Sequence, residues 1–286
     1  MMKKLLFMFD TDPEPSVFDT VVAYDGGADH VAGYANVTPD NVGALVDGTI
    51  YTRGGDDKKH TAIFVGGGSM AKGEELLECV KKRFFANFRV SVMLDSNGSN
   101  TTAAAGVALL AKAGDLKGKK AVVLAGTGPV GMRAGAMLAS EGAEVVLTSR
   151  KQDRADAAAK QISERFDVKC SGFEASNPDQ FGEAVKDANV VFAAGGIGIE
   201  LLKADAWQNN PNIEMVADCN AQPPLGIEGI EATDKGKERY GKLCFGALGI
   251  GGLKLKLHRH LIGQLFESQD QVFDAEEIYA AAKDMA

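Results

Sequence analysis

The sequence predicts an α/β protein of two α/β domains, each built on a parallel sheet, with an active-site cleft between them. Three observations lead to this fold class. The chain has 286 residues, which is enough for two compact domains. Short apolar runs alternate with helical patterns along both halves, and such repeated units imply parallel sheets that helices cover on both faces. A composition of 45% hydrophobic and 24% charged residues is typical of a folded globular chain.

The first domain is predicted at residues 1–114, completed by C-terminal helices within residues 253–286. Its start is basic and then apolar, but an apolar run of about six residues is too short for a signal peptide and reads as a strand. An alanine-rich helix from about Asn100 to Ala113 ends this domain at Gly114. The elements before it are predicted as strand Lys4–Phe9, helix Val17–Tyr24, strand Val31–Tyr34, helix Asn41–Ile50, strand Thr61–Val65, helix Met70–Phe84 and strand Arg89–Leu94.

The second domain is predicted at residues 115–252 and begins at the basic turn Lys117–Lys120. Its elements are predicted as strand Ala121–Ala125, helix Pro129–Ser140, strand Glu144–Thr148, helix Arg154–Phe166, helix Phe181–Asp187, strand Val190–Ala194 and strand Ile213–Ala217. This is the order of a doubly wound nucleotide-binding domain. Beyond Gly252, helices Leu253–Phe266 and Ala275–Lys283 close the chain, and at least one is expected to pack on the first domain.

A glycine-rich turn joins the first strand of the second domain to its first helix, and it reads Gly126-Thr127-Gly128-Pro129-Val130-Gly131. Gly126 permits the tight turn, Gly128 lets a pyrophosphate approach the backbone, and Gly131 lets the helix lie close to the strand. The helix N-terminus adds free N–H groups and the positive end of a dipole. Because a strand, a helix and a second strand surround the turn in the required order, it predicts a Rossmann-type domain that binds a dinucleotide. A glycine-rich turn without a ligand is the alternative.

The end of the second strand of this domain indicates which dinucleotide is bound. Enzymes that use NAD generally place Asp or Glu there, where the carboxylate accepts from the ribose 2′-hydroxyl. This chain instead has Ser149-Arg150-Lys151, whose hydroxyl and two cations suit a 2′-phosphate. The sequence therefore predicts NADP as the cofactor. The alternative is that Arg150 and Lys151 merely begin a solvated helix, although cations are mildly unfavourable at that end of a helix.

Charge and cysteine content exclude several function classes. A formal net charge of -8 and an isoelectric point near 5.1 oppose attraction to nucleic acid or an anionic membrane. No apolar stretch approaches the ~20 residues of a membrane span, so a cytoplasmic location is expected. The four cysteines are far apart and lack nearby histidines at metal-ligand spacing, which predicts reduced, mostly buried thiols and no metal site.

The sequence also carries long, unusual strings that extend over nearly the whole chain. They are FDTD (Phe9–Asp12), SVFD (Ser16–Asp19), YDGGADH (Tyr24–His30), NVTPDNVG (Asn36–Gly43), DGTIYTRGG (Asp47–Gly55), DSNGSNTTAAAG (Asp95–Gly106), AGTGPVG (Ala125–Gly131), NAQPPLGI (Asn220–Ile227) and FGALGIGGLKLKLHR (Phe245–Arg259). In these strings the chain resembles the NADP-dependent methylenetetrahydromethanopterin/methylenetetrahydrofolate dehydrogenase of methylotrophic bacteria. Ser149 departs from the glycine expected there in that family.

The resemblance implies a pterin-bound one-carbon substrate, whose methylene group is oxidised to methenyl while hydride passes to NADP. It also implies a homo-oligomer, with a trimer as the specific expectation. Removing hydride from a carbon that bridges two nitrogens leaves a cation stabilised by those nitrogens, so no proton has to be removed in that step. Positioning and electrostatics can then supply much of the rate acceleration. The sequence leaves open whether methanopterin or folate is preferred and whether NAD is partly used.

The substrate-binding candidates follow strand ends, where clefts of α/β proteins usually bind ligands. They are Ser16, Phe18, Asp95, Ser96, Asn97, Gly98, Asn100, Thr101 and Thr102. The polar side chains between Asp95 and Thr102 could read the amide and amino edge of a pterin. For Asn100 or Thr101, the alternative is a role as a helix cap alone. Asp19 is a catalytic candidate, as an anion near the developing cation. An aspartate in the first turn of a helix is also ordinary compensation of the helix dipole.

Further cofactor candidates follow later strands of the second domain. Gly195, Gly196 and Ile197 are expected near the nicotinamide half of the cofactor, and Asn220 and Gln222 near its ribose or carboxamide. Gly246, Ala247 and Leu248 form a third group of cofactor candidates. Glycine-rich turns and a proline-stiffened loop are the alternative interpretation.

The resemblance points to Lys254 as the active-site lysine. Lys254 and Lys256 stand two apart in a predicted helix start, so at most one should face the cleft. A cation beside a forming cation would be unfavourable, so Lys254 is expected to orient the substrate by hydrogen bonding. A solvated lysine is the alternative. The sequence leaves two other function classes open. One is a shikimate-type NADP dehydrogenase, which would need a proton-transferring Lys/Asp pair. The other is a non-catalytic NADP sensor.

Overall fold

Two parallel sheets organise the chain, and each belongs to a separate unit. A computed structural model describes residues 2–286. Unit 1 comprises the chain as far as Thr101 together with Leu255–Ala281, and unit 2 comprises Thr102–Lys254 together with Ala282–Ala286. The predicted fold class of two α/β domains with parallel sheets is confirmed. The predicted domain boundaries and the predicted cleft stay predictions.

Unit 1 is built on five parallel strands, labelled in chain order: β1 (Leu5–Asp10), β2 (His30–Tyr34), β3 (Thr61–Gly66), β4 (Ser91–Leu94) and β12 (Val272–Phe273). Their order across the sheet is β2-β1-β3-β4-β12, and every neighbouring pair is parallel. The central strands β3 and β4 are buried at every position, which explains their nearly continuous apolar sequences. The strand order reverses between β1 and β3, where an open α/β sheet usually binds its ligand.

Six helices contribute residues to unit 1, and three of them cross its boundaries. They are α1 (Val17–Asp25), α2 (Val42–Tyr51), α3 (Met70–Arg83), α4 (Ser99–Ala113), α9 (Ala247–Gln264) and α10 (Ala275–Met285). Short 3₁₀ turns cover Gly55–His60 and Ser96–Gly98. Serine side chains cap two helices, because Ser16 accepts from the amide of Asp19 and Ser69 accepts from that of Lys72. These caps place the helix starts where the sequence predicts them.

Unit 2 contains a seven-stranded sheet with the order β7-β6-β5-β8-β9-β11-β10. Its strands are β5 (Lys120–Leu124), β6 (Glu144–Ser149), β7 (Cys170–Glu174), β8 (Val190–Ala193), β9 (Met215–Asp218), β10 (Lys235–Arg239) and β11 (Lys242–Phe245). Only β10 is antiparallel to its neighbour. Helices α5 (Pro129–Ser140), α6 (Gln152–Phe166), α7 (Pro178–Val185) and α8 (Ala204–Trp207) connect the strands. The six parallel strands have the order of a Rossmann fold, whose crevice opens between β5 and β8.

Several elements differ from their predicted form, for identifiable reasons. Strands β7 and β10 were missed because their sequences, CSGFE and KGKER, contain no apolar run, and β12 is only two residues long. Helix α9 begins at Ala247, and the sequence predicted its start at Leu253. The prediction was late because the glycines in the first two turns have a low helix propensity. Lys254 is therefore two turns inside α9 and not at its start.

The structure also gives the state of the cysteines and the character of the helices, on which the sequence makes predictions. All four cysteines are free; Cys244 is buried, and Cys79, Cys170 and Cys219 are partly buried. Every helix within residues 2–286 falls short of the length and apolar character that a membrane span requires.

Candidate functional site

The glycine-rich turn between β5 and α5 packs tightly against itself at two of its three glycines. A Cβ on Gly131 would come within 2.7 Å of the Cα of Gly126, and a Cβ on Gly126 would lie 2.9 Å from the carbonyl oxygen of Val123. These glycines let α5 approach β5 closely. Around Gly128 the nearest atom to an added Cβ is 3.8 Å away, so the fold itself does not demand a glycine there. The open space at Gly128 is what a phosphate group approaching the backbone requires.

Hydrogen bonds hold this turn beside the end of β6. The amide of Ala125 donates to the Thr148 hydroxyl at 3.0 Å, and the amide of Gly126 donates to the Thr148 carbonyl at 2.9 Å. Helix α5 begins with Pro129 immediately after Gly128, so the amides of Val130 and Gly131 lie in its first turn. The phosphate-binding candidates Gly126, Thr127, Gly128, Pro129, Val130 and Gly131 are thus brought together with the candidates at the end of β6.

A cavity of about 340 Å³ opens beside this turn, entirely within unit 2. The side chains that line it are neutral or cationic, and none carries a carboxylate. Its lining residues are Ala125, Thr127, Gly128, Thr148, Ser149, Arg150, Arg154, Ala175, Phe181, Ala194, Gly195, Gly196, Ile199 and Leu201. The cavity therefore adjoins the carboxyl ends of β5, β6 and β8, at the crevice of the Rossmann sheet.

Two exposed arginines line this cavity. Arg150 follows β6, and Arg154 comes four residues later in the first turn of α6, and both side chains line the same cavity. Among residues 2–286, neither guanidinium forms a salt bridge with a carboxylate. The nearby carboxylate of Glu174 accepts from the amide of Gln152 at 3.0 Å. Unpaired guanidinium groups at a glycine turn fit the 2′-phosphate and pyrophosphate of NADP. Sequence reasoning missed Arg154, although its spacing from Arg150 could have revealed it.

The remaining β6 candidates differ in exposure. Ser149 is buried at the cavity wall, whereas Lys151 is exposed at the N-cap of α6. Of the candidates after β8, Gly195 and Gly196 line the cavity, and Ile197 has 71% of its surface exposed. An exposed isoleucine beside a cavity is consistent with a surface that a ligand covers.

Two cofactor candidates follow β9, and the side chain of one of them, Asn220, forms hydrogen bonds within its own loop. Asn220 is buried, and its side chain donates to the carbonyl of Pro224 at 3.0 Å and accepts from the amide of Gln222 at 3.1 Å. Gln222 itself is exposed. The buried Asp218 accepts from the amides of Asn220 and Ile227, and burial raises the pKa of its carboxyl despite these amide donors. This network shapes the loop that carries Gln222.

The candidates at the start of α9 lie apart from the cavity lining. Gly246 is buried, and a Cβ there would collide with the carbonyl oxygen of Glu231. Ala247 is half-buried, and Leu248 has 58% of its surface exposed. The structure therefore explains Gly246 by close packing of the chain.

In unit 1, the candidates Ser16, Phe18 and Asp19 lie at the start of α1. The amide of Ser16 donates to the buried carboxylate of Asp10 at 3.1 Å, so the helix start is fixed to the end of β1. Phe18 is half exposed and Asp19 is half-buried. Burial raises the pKa of Asp10, while the amides of Asp12 and Ser16 oppose that shift. Asp10 ends β1 at the point where the strand order reverses, and its carboxylate holds the loop that leads into α1.

The polar loop after β4 buries most of its side chains. Asp95 accepts from the Thr101 amide at 3.0 Å and from the Thr101 hydroxyl at 2.6 Å, and both residues are fully buried. Ser96 donates to the carbonyl of Gly66, and Asn100 donates to the carbonyl of Leu94 at 2.7 Å. Exposed surface remains at Asn97, whose φ of 56° lies in the left-handed region, and partly at Gly98 and Thr102. The loop is therefore locked from within and presents few side chains outward.

Helix α9 contributes a buried histidine to this network. The Nδ1 atom of His258 lies 3.8 Å from a carboxylate oxygen of Asp95, and neither side chain is exposed. The imidazole also stacks on the ring of Phe64 at a centroid distance of 5.5 Å. Lys254 is half-buried and lies one turn before His258 on the same face of α9, whereas Lys256 is exposed. The two lysines thus differ in burial, and the assignment of Lys254 to the substrate stays a prediction.

Among residues 2–286, histidine, cysteine and carboxylate side chains form no group of three that could hold a metal ion. Unit 2 offers backbone amides and guanidinium groups, and unit 1 by itself offers a polar loop that is held by internal hydrogen bonds.

The sequence of this chain is similar to those of known proteins over its whole length. The model of the family described as methylene-tetrahydromethanopterin dehydrogenase, N-terminal, matches residues 17–97. The chain is 70% identical over 288 residues to the bifunctional protein MdtA of Methylorubrum extorquens, and the match covers 100% of both chains. It is 30% identical over 296 residues to an NAD(P)-dependent methylenetetrahydromethanopterin dehydrogenase of the same organism, again with 100% of both chains covered.

Solved structures share the fold at low sequence identity. A shikimate 5-dehydrogenase from Listeria monocytogenes, in complex with shikimate and NAD, has a TM-score of 0.56 and 14% identity, covering 97% of this chain and 96% of its own. A 5-ketofructose reductase of Gluconobacter has a TM-score of 0.55 and 14% identity, covering 99% of each chain. These likenesses establish the dehydrogenase-type fold and nothing about the substrate.

Proposed function

Because this chain belongs to the family of methylenetetrahydromethanopterin dehydrogenases, we propose that it oxidises the methylene group of a methylene-tetrahydropterin to the methenyl form, with NADP+ as the hydride acceptor. The observation that carries this proposal is the similarity to an NAD(P)-dependent methylenetetrahydromethanopterin dehydrogenase over the full length of both chains. The cavity beside the glycine turn supports the choice of NADP, because its two arginines lack carboxylate partners in the described chain.

Unit 2 would hold the cofactor through its backbone and its cations. The amides at the start of α5 would bind the pyrophosphate, and the space at Gly128 admits it. Arg150 and Arg154, with Ser149 and Lys151 beside them, would bind the 2′-phosphate. Gly195, Gly196 and Ile197 would line the approach to the nicotinamide half. When bound, NADP+ supplies the ring that accepts the hydride.

The chain's other residues have to position the substrate. The hydride leaves the methylene carbon with its electron pair, and the positive charge that remains is shared by the two flanking nitrogens. No side chain needs to remove a proton in that step, so orientation can supply much of the acceleration. We assign orientation of the substrate to Lys254, through hydrogen bonding, and electrostatic compensation of the forming cation to Asp19. The loop positions most open to a pterin are Asn97, which is exposed, and Gly98 and Thr102, which are half-buried.

The assay that tests this function follows the reduced-nicotinamide absorbance with methylene-tetrahydromethanopterin and, in parallel, methylene-tetrahydrofolate. Growth of that absorbance with NADP+ and either pterin is expected, and the ratio of the two kcat/KM values identifies the preferred pterin. Activity with shikimate instead would assign the chain to the alternative dehydrogenase class. NADP binding without turnover of any of these substrates would indicate a sensor. The expected homo-oligomer, specifically a trimer, and the cytoplasmic location remain further proposals.

A further inference from the structure

Lys58 is a buried lysine without a carboxylate partner in the described chain. Only 5% of its surface is exposed, and its Nζ donates to the backbone carbonyl of Asn87 at 2.6 Å. The same Nζ lies 4.2 Å from the centroid of the Phe88 ring. Within residues 2–286 no acidic side chain forms a salt bridge with it. Lysine is almost never buried unless it is paired, because removing a charge from water is energetically unfavourable.

A second buried lysine shows how this chain satisfies such a group internally. Lys242 is 6% exposed, and its Nζ donates to the carbonyls of Asn210 at 2.6 Å and Ile213 at 3.0 Å. Burial lowers the pKa of Lys242. Lys58 has one such carbonyl where Lys242 has two, and an ammonium group offers three donors. The environment of Lys58 therefore lacks an acceptor that the environment of Lys242 provides.

Lys58 lines a cavity of about 300 Å³ that lies entirely within unit 1. The lining residues are Gly55, Asp56, Lys58, Lys59, Asn87, Ser268 and Gln269. Two lysines and one aspartate give these walls a net charge of +1. Amide groups of Asn87 and Gln269 add neutral donors. A small oxyanion of low charge suits such walls better than a polyphosphate does.

The place of this cavity in the sheet separates it from the proposed active site. Its residues precede three neighbouring strands: Gly55 to Lys59 precede β3, Asn87 precedes β4, and Ser268 and Gln269 precede β12. In a parallel sheet these amino ends share one edge. Asp10 ends β1 and Asp95 follows β4, so both lie at the opposite edge. The cavity is therefore not part of the candidate substrate loop.

We propose that this cavity is a binding site for a phosphate-type oxyanion, with the ammonium of Lys58 as its buried contact and Lys59 as its second cation. The oxyanion supplies the acceptor that the chain lacks at Lys58. Binding of a small oxyanion to the native state alone stabilises the protein in proportion to the logarithm of ligand concentration above Kd.

The test measures thermal unfolding of the full chain against inorganic phosphate, with chloride at matched ionic strength as the reference. Saturating NADP is present throughout, so that Arg150 and Arg154 do not supply a competing phosphate site. A saturable rise in Tm is expected for the wild type. The rise should disappear in Lys58→Met and shrink in Lys59→Met, and it should persist in Lys72→Met, an exposed lysine of α3 in the same unit.

A second measurement uses only the wild-type protein, because Lys58→Met may alter folding. Lysine acetylation is mapped by peptide mass spectrometry with and without phosphate, and phosphate should protect Lys58 but not Lys242. Absence of both the saturable Tm shift and the protection would overturn the proposal. An equal Tm shift in Lys58→Met would place the anion elsewhere and overturn it as well. An oligomer that dissociates in Lys58→Met, with no phosphate effect, would identify a carboxylate of a second copy as the partner instead.

Discussion

Each of the two sheets has a polar segment at the carboxyl ends of its strands. The two segments differ in whether their hydrogen-bonding groups line a cavity or bind each other. In unit 2, Arg150 and Arg154 face a cavity, and the glycine turn leaves space at Gly128. In unit 1, Asp95 and Thr101 are fully buried and bind each other. Both segments follow parallel strands and both read as polar loops in the sequence. The comparison shows that one segment keeps its hydrogen-bonding groups for a ligand, whereas the other uses them to fix its own shape.

This difference predicts that the largest loss of stability follows from a change in the loop of unit 1. Asp95→Ala removes the acceptor of both the Thr101 amide and the Thr101 hydroxyl, and it leaves His258 without its carboxylate neighbour. We expect the free energy of unfolding to fall by about 2–6 kcal/mol, because each of the two buried Thr101 donors that loses its acceptor costs about 1–3 kcal/mol. Urea unfolding measures this loss.

The matched control is Thr102→Ala, a half-buried neighbour, which should change the unfolding free energy by less than about 1 kcal/mol. Equal losses in the two variants would show that the loop is not held by Asp95. At temperatures where Asp95→Ala remains folded, its NADP affinity should equal that of the wild type, because the cofactor groups lie in unit 2.

The next effect concerns turnover and separates the two lysines of α9. Lys254→Met should lower kcat about 10²-fold, the scale for a misplaced reacting group, with NADP affinity and stability unchanged. Lys256→Met should be much milder, because Lys256 is exposed and lies on a different face of α9. Steady-state kinetics with a methylene-pterin measures both. A large loss in Lys256→Met with a normal rate in Lys254→Met would reverse the assignment.

Local patterns in the sequence were enough to predict one of these two segments. The glycine turn could be recognised because the spacing of its glycines encodes the packing of α5 on β5 within one short stretch. The burial of Asp95 could not, since His258 and Phe64 come from elements far away in the sequence. The same limit applies to Lys58, whose partner Asn87 lies before another strand. Polar strands such as β7 and β10 lack the apolar pattern on which strand prediction depends.

The open segment of unit 2 should lose cofactor affinity rather than stability when its cations are removed. Arg150→Ala and Arg154→Ala should each weaken NADP binding by about 1–3 kcal/mol, the range for a hydrogen bond to a charged group, and should change NAD binding little. Titration calorimetry with both dinucleotides measures the difference. Lys160→Ala, on the exposed side of α6, is the control and should leave both affinities unchanged. Equal losses for NADP and NAD would remove the 2′-phosphate assignment.

The smallest effect is expected from the thiols, although three of the four lie in unit 2. Cys170 begins β7, Cys219 follows β9 and Cys244 lies in β11. Burial raises the pKa of Cys170 and of Cys244 to about 11 and raises that of Cys219, so all three are protonated thiols near pH 7. A thiol is a poor nucleophile compared with its thiolate. Iodoacetamide should therefore label these cysteines slowly at pH 7, and Cys170→Ala and Cys219→Ala should retain wild-type kcat and NADP affinity. A variant that folds and binds NADP but does not turn over would show that unit 2 contributes thiol chemistry in addition to its amides and guanidinium groups.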